Sequence, residues 1–187
     1  MPGGERRRPR AERSAASPYT LSPSTLDALP SGARLVLPSP NGARCVRAAH
    51  ERGVPVVIAG CLRNASAVAA FARESAGAGV AIAVIAAGER WPDGTLRPAI
   101  EDDLGAGAIV AALGLDAACS PEARYAAHAF RALRDVLADA VRDSVSGREL
   151  AEAGYADDVV RALELDASAT VPVLRPDGFI GAASREG

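Results

Sequence analysis

Three stretches of the chain are apolar runs: Leu35-Val36-Leu37 following Arg34, 55–59 and 80–86. A strand wet on one side alternates apolar and polar residues. Unbroken runs therefore predict strands covered on both faces, as in a parallel sheet. Helical spacing separates the runs. A helix is expected over 43–52, with Val46 and Ala49 inward and Gly53 as its stop. Asn64 is placed to cap a second over 65–74. Ser22 before Pro23 signals a short helix reaching about Leu29, stopped by Pro30. Strands alternating with helices in this way read as right-handed βαβ units.

Beyond a polar loop over 87–99 the pattern turns helical. A helix is expected over 100–113. Ser120, Pro121 and Glu122 open another, with Ala126, Phe130, Leu133, Leu137 and Val141 along one stripe. Ser146-Gly147-Arg148-Glu149 reads as a capping box, and Asp157 and Asp158 lie near the start of a further helix. A last strand runs from Thr170 to Leu174, with Pro172 placing it at a sheet edge and Asp177-Gly178 turning into Phe179 and Ile180. The expected fold class is α/β: three layers, α/β/α, around a largely parallel sheet, with a helical C-terminal half. One domain is expected over 18–181, after a disordered Arg-rich tail over 1–17 and before a flexible C-terminus over 182–187.

Composition narrows the chemistry. All 21 basic residues are arginine, as the codon bias of a high-GC genome, here read as bacterial, would produce. With no lysine, Schiff-base catalysis and a P-loop are both excluded. The net charge of −2 and an aromatic content of 4% argue against a nucleic-acid partner. Cys45, Cys61 and Cys119 are too dispersed for a zinc site or a disulfide framework. No apolar run is long enough for a membrane span, and no secretory signal is evident, so a cytoplasmic location is expected.

In a parallel sheet, ligands gather beyond the carboxyl ends of the strands. Three turns fall there: Ser39, Asn41 and Gly42; Arg63, Asn64 and Ser66; and the loop from Gly88, Glu89 and Arg90 to Asp103. The first two precede helices, whose free N–H groups attract phosphate or carboxylate, and Arg63 could add a bidentate contact. Plain helix capping accounts for the same residues. Glu101, Asp102 and Asp103 either complement a helix dipole or supply a Mg²⁺ site, and Asp157-Asp158 either charges a helix start or adds a second carboxylate pair. Cys61 stands where a nucleophile could, but lacks the arginine spacing of a cysteine phosphatase loop. His50 and His128 do not assemble into a triad.

Taken in order, these stretches resemble the 2-phosphosulfolactate phosphatase family. The matching segments are Ser39-Pro40-Asn41-Gly42, Gly60-Cys61-Leu62-Arg63-Asn64-Ala65-Ser66 through Ala69, and Val84-Ile85-Ala86-Ala87-Gly88-Glu89-Arg90. Glu101-Asp102-Asp103-Leu104-Gly105-Ala106-Gly107, Ser146 through Leu150 to Gly154, Asp157-Asp158-Val159 and Val171-Pro172-Val173-Leu174 complete the succession. Each is unspecific alone; their order and spacing carry the resemblance from about Ser22 to Leu174. It implies an α/β fold and Mg²⁺-dependent cleavage of 2-phosphosulfolactate to sulfolactate and phosphate, on the route to coenzyme M. Ser39, Asn41, Gly42, Arg63, Asn64, Ser66 and Arg90 would then contact the anion. Glu101 and Asp102 would be catalytic, and with Asp158 would hold the metal. The family's N-terminal segment, with its Asp-x-Leu-Arg motif, is not recognisable, the Arg-rich tail standing in its place. The partner implied is a small phosphorylated anion, with no nucleic acid, no membrane, and self-association as a homo-oligomer left open. A binding protein without turnover, derived from the family by N-terminal truncation, is the rival expectation.

Overall fold

Among the described residues seven α-helices form, in the order α1 (Pro40–Glu51), α2 (Ala65–Ala76), α3 (Ile100–Leu113), α4 (Pro121–Leu133), α5 (Leu137–Arg142), α6 (Val145–Glu152) and α7 (Ala156–Ala162). Four short strands join them: β1 (Glu89–Arg90) and β2 (Leu96–Arg97) before α3, and β3 (Val171–Arg175) and β4 (Gly178–Ala182) at the end. These elements come from a computed structural model that describes residues 19–37 and 39–182. The tail expected over 1–17 lies outside the described residues, as does the terminus beyond 182.

Helix α3 is apolar on every side, so it must be covered on every side. It packs between α2 and α4, burying Leu104, Ala108, Ile109, Val110 and Leu113. Its polarity is confined to the first turn, where Glu101, Asp102 and Asp103 complement the helix dipole. Gly114 ends it in the left-handed conformation at φ 65°, donating back to the Ala111 carbonyl. Two glycines in α3 face different surroundings. A Cβ on Gly105 would have only the Leu62 backbone nitrogen, at 4.0 Å, as a neighbour. One on Gly107 would lie 3.0 Å from Phe130 Cβ and inside the contact envelope of the Ala126 carbonyl. Gly107 is thus where α3 and α4 touch backbone to side.

Helix α4 starts at the expected place, with Ser120 Oγ accepting from the Ala123 N–H at 3.2 Å. The expected stripe is broken by a 3-10 turn over Arg134–Val136, yet Phe130, Leu137 and Val141 still reach the core. The short helix expected from Pro23 closes earlier, as a 3-10 turn over Pro23–Leu26. Helix α6 begins two residues before the expected capping box. Ser144 Oγ accepts from the Gly147 N–H at 3.0 Å, and Ser146 is freed for another partner.

The sheet differs from expectation. The described residues show no parallel pairing; β1 pairs antiparallel with β2, and β3 with β4. The apolar runs over 34–37 and 80–86 form no ladder, and 55–59 contributes one antiparallel bridge, Ile58 to Val173. Val36, Val80 and Ile85 are 91%, 61% and 69% exposed. β-branched residues favour an extended backbone, but a ladder also needs a neighbour in register, and these runs lack one. The bridge also moves Pro172 from the edge expected for it. Its carbonyl accepts from the Ala59 N–H at 2.9 Å, while β4 lies on the other side of β3. Pro172 cannot return a hydrogen bond to Ala59. The Asn64 amide turns instead toward the Ala59 carbonyl, 3.5 Å away, and donates to Thr170 O at 3.0 Å. The architecture is mixed α and β, dominated by helices. No helix among the described residues is long and apolar enough to cross a membrane.

Candidate active site

Helix α1 begins at Pro40, three residues earlier than expected, so Asn41 and Gly42 lie inside its first turn and Ser39 occupies the N-cap position. Asn41 Nδ2 donates to Glu89 Oε1 at 3.0 Å, joining the start of α1 to β1. The adjoining Gly88 N–H donates to Asp102 in the first turn of α3. The first and third of the expected turns are therefore brought together. Burial raises the Asp102 carboxyl above the usual aspartate range, and the charges of Glu101, Glu89 and Asp103 push the same way, against the Gly88 hydrogen bond. Beside it, Glu101 Oε2 is buried without a hydrogen-bond partner. An uncompensated carboxylate oxygen of this kind is costly, and the site is one a cation would relieve. Arg90, exposed on β1, spends one N–H on Gly94 O at 2.7 Å and keeps further donors for an anion.

The second expected turn is not part of this cluster. Arg63 donates to Arg161 O at 2.8 Å and pairs with Glu164. The buried Asn64 accepts from Cys61 N and donates to Thr170 O. Ser66 gives its N–H and its hydroxyl to the Asp166 carboxylate at 2.7 and 2.6 Å. At the α2 N-terminus the Asp166 carboxylate is the anion in place. In the structure Arg63, Asn64 and Ser66 brace α2 against the segment after α7. Replacing Asp166 by Ala should cost about 1–2 kcal/mol, the usual worth of a capping carboxylate. Asp166→Asn should cost less, since asparagine tolerates the φ of 54° found there. Urea unfolding of the three proteins measures both.

Asp158 is likewise drawn elsewhere. It is 5% exposed on α7 and accepts from Ser22 Oγ at 2.7 Å, tying the first turn of the described chain to the last helix. No group of three or more acidic, histidine or cysteine side chains placed to hold a metal exists among the described residues. Glu101, Asp102 and Asp158 are thus not gathered into one cage.

A sequence model of the 2-phosphosulpholactate phosphatase family matches residues 3–177, nearly the whole chain. This chain belongs to that family. A 2-phosphosulfolactate phosphatase of the archaeon Methanothermobacter thermautotrophicus is 36% identical over 146 residues, covering 78% of this chain and 58% of the relative. The chain therefore spans well under two thirds of that phosphatase's length.

Within this phosphatase-family chain, one residue of the site region carried no signal in the sequence. Arg97, on β2 and directly opposite Glu89, is 2% exposed. Its guanidinium donates to both carboxylate oxygens of Glu149 at 3.0 Å and to Ser146 Oγ at 2.7 Å, and lies 5.4 Å from the centre of the Trp91 ring. An arginine in a polar loop reads as solvated. Only the spacing of Ser146 and Glu149, three apart on one helix face, hints that both serve a common partner.

Proposed function

We propose that this chain hydrolyses a small anionic phosphomonoester of the 2-phosphosulfolactate type, giving the hydroxy acid and phosphate, with Mg²⁺ bound by Glu101 and Asp102. Membership of the phosphatase family supports the reaction class. The observation that carries the location is the meeting of Asn41, Glu89 and Asp102, each from a different element, beside an unpartnered buried carboxylate oxygen.

The donor set fits the metal. Magnesium prefers hard oxygen ligands and commonly takes only one or two carboxylates, its remaining positions going to water and substrate phosphate. Two acids suffice, and Asp158 is not needed. When bound, the ion would offset the phosphoryl charge that repels an incoming water. The chain's own residues do the rest. The α1 N-terminus presents the backbone N–H groups of Asn41 and Gly42 to the phosphate oxygens, with the Ser39 hydroxyl at the N-cap position beside them. Arg90 supplies the guanidinium contact first expected of Arg63, which is held by Glu164 and Arg161. Glu89, oriented by the Asn41 amide, is positioned to direct the attacking water.

Purified full-length protein should release inorganic phosphate from 2-phosphosulfolactate with Mg²⁺ present and stop when a chelator is added. Its melting temperature should rise with Mg²⁺ concentration, since a ligand of the folded state alone stabilises by mass action. Calorimetric binding of the substrate without turnover would refute the reaction.

A further inference from the structure

We propose that Arg97 is the positioning residue of this site, holding the loop that bears Glu89 in register with α6 through Ser146 and Glu149. The inference rests on the reading that Glu89 and Asp102 belong to the working site.

Arg97 and Glu89 are cross-strand partners in a ladder only two pairs long. So short a hairpin has little stability of its own. What steadies it is side-chain contact. The Trp91 N–H donates to Thr95 O at 2.9 Å across the turn, and the Trp91 ring lies over the Arg97 guanidinium. The guanidinium in turn spans Glu149 and Ser146 on a helix some fifty residues away. This ion pair is buried only at its arginine end and is weak evidence for stability, because desolvating Arg97 offsets much of the attraction and water screens the Glu149 end. It does define direction. With Nη1 meeting both carboxylate oxygens and Nη2 the Ser146 hydroxyl, the guanidinium is held at two nitrogens, and a lysine ammonium has only one. Glu89, opposite Arg97, inherits that orientation and passes it to Asn41. The Ser146–Glu149 stretch then serves the site without touching it.

Hydrogen exchange on the intact chain tests this independently of activity. In Arg97→Lys, exchange should rise about threefold or more over residues 88–97 and at the start of α1, and stay unchanged in α3 and α4. A uniform rise over the whole chain, or no rise in the loop, overturns the proposal. Should Arg97→Lys fail to fold, Ser146→Ala removes one leg of the fork with the charge kept, and the same local pattern is expected in smaller measure. Kinetics supply the second arm. Since Arg97 acts through Glu89, the double variant Arg97→Lys/Glu89→Gln should turn over no more slowly than Glu89→Gln alone. Losses that simply add overturn the proposal. A wild-type chain that releases no phosphate defeats the reading of the function, and the exchange pattern then decides on Arg97 by itself.

Discussion

Asp102→Asn should abolish Mg²⁺-dependent phosphate release while leaving the fold at least as stable as the parent. The two halves share one cause. Asp102 lies among Glu101, Glu89 and Asp103, and burial and repulsion raise its carboxyl above the usual range. An acid whose pKa is higher folded than unfolded binds its proton more tightly in the fold. Its charged form therefore opposes folding, by an amount absent below the unfolded pKa and complete once pH passes the folded one. At neutral pH, then, the charge on Asp102 costs stability. Asparagine removes the charge and keeps an oxygen to accept from the Gly88 N–H. The melting temperature without metal should equal or exceed the parent's. The metal-dependent rate should fall about a thousandfold or more, roughly 4 kcal/mol of transition-state stabilisation. The Mg²⁺-induced rise in melting temperature should shrink with it. Turnover at the parental rate would remove Asp102 from the mechanism. A loss of activity that merely tracks unfolding would show that the residue is structural.

Gly107→Ala should be strongly destabilising, and Gly105→Ala, two residues away, should be harmless or stabilising. Propensity alone predicts that both gain about 1 kcal/mol, since alanine is the better helix former. Contact geometry separates them. At Gly105 the added methyl meets nothing closer than 4.0 Å. At Gly107 it is driven into the Ala126 carbonyl and lies 3.0 Å from Phe130 Cβ, so α3 and α4 must part. Backbone cannot swing aside as a side chain can. Overpacking of this kind costs about 3 kcal/mol, which outweighs the propensity gain. The net loss of about 2 kcal/mol is, for a chain of this length, a fall of roughly 4–8 °C in melting temperature. Thermal unfolding of both variants checks the pair. Equal melting temperatures would mean that the helices are not in contact at Gly107.

Local signals were read well where the cause was local. The bounds of α3 follow from an acidic first turn, an all-apolar body and Gly114; the start of α4 follows from Ser120 and Pro121. Fold class was legible only at the level of mixed α and β. Apolar runs raise the expectation of strands, but the chain over 34–37 and 80–86 forms none, because pairing depends on a neighbour that no local pattern specifies. The site was half legible for the same reason. Turns at Asn41 and at Asn64 look alike in sequence, small polar residues beside a helix start. What separates them is Asp166, 100 residues beyond Ser66, in a segment with no motif and a backbone conformation that aspartate adopts only occasionally. Burial of Arg97 was hidden too, since its partners lie on a helix placed only by tertiary packing.

The carboxylate of Asp166 at the head of α2 also bears on how many anions one chain can hold. It is an intramolecular competitor, present at an effective concentration on the order of millimolar or higher. Phosphate reaching that helix would have to displace a group that never diffuses away. Of the two helix starts that look alike in sequence, the one at Ser66 is already taken, so under the proposed function saturation should come at one phosphate per chain.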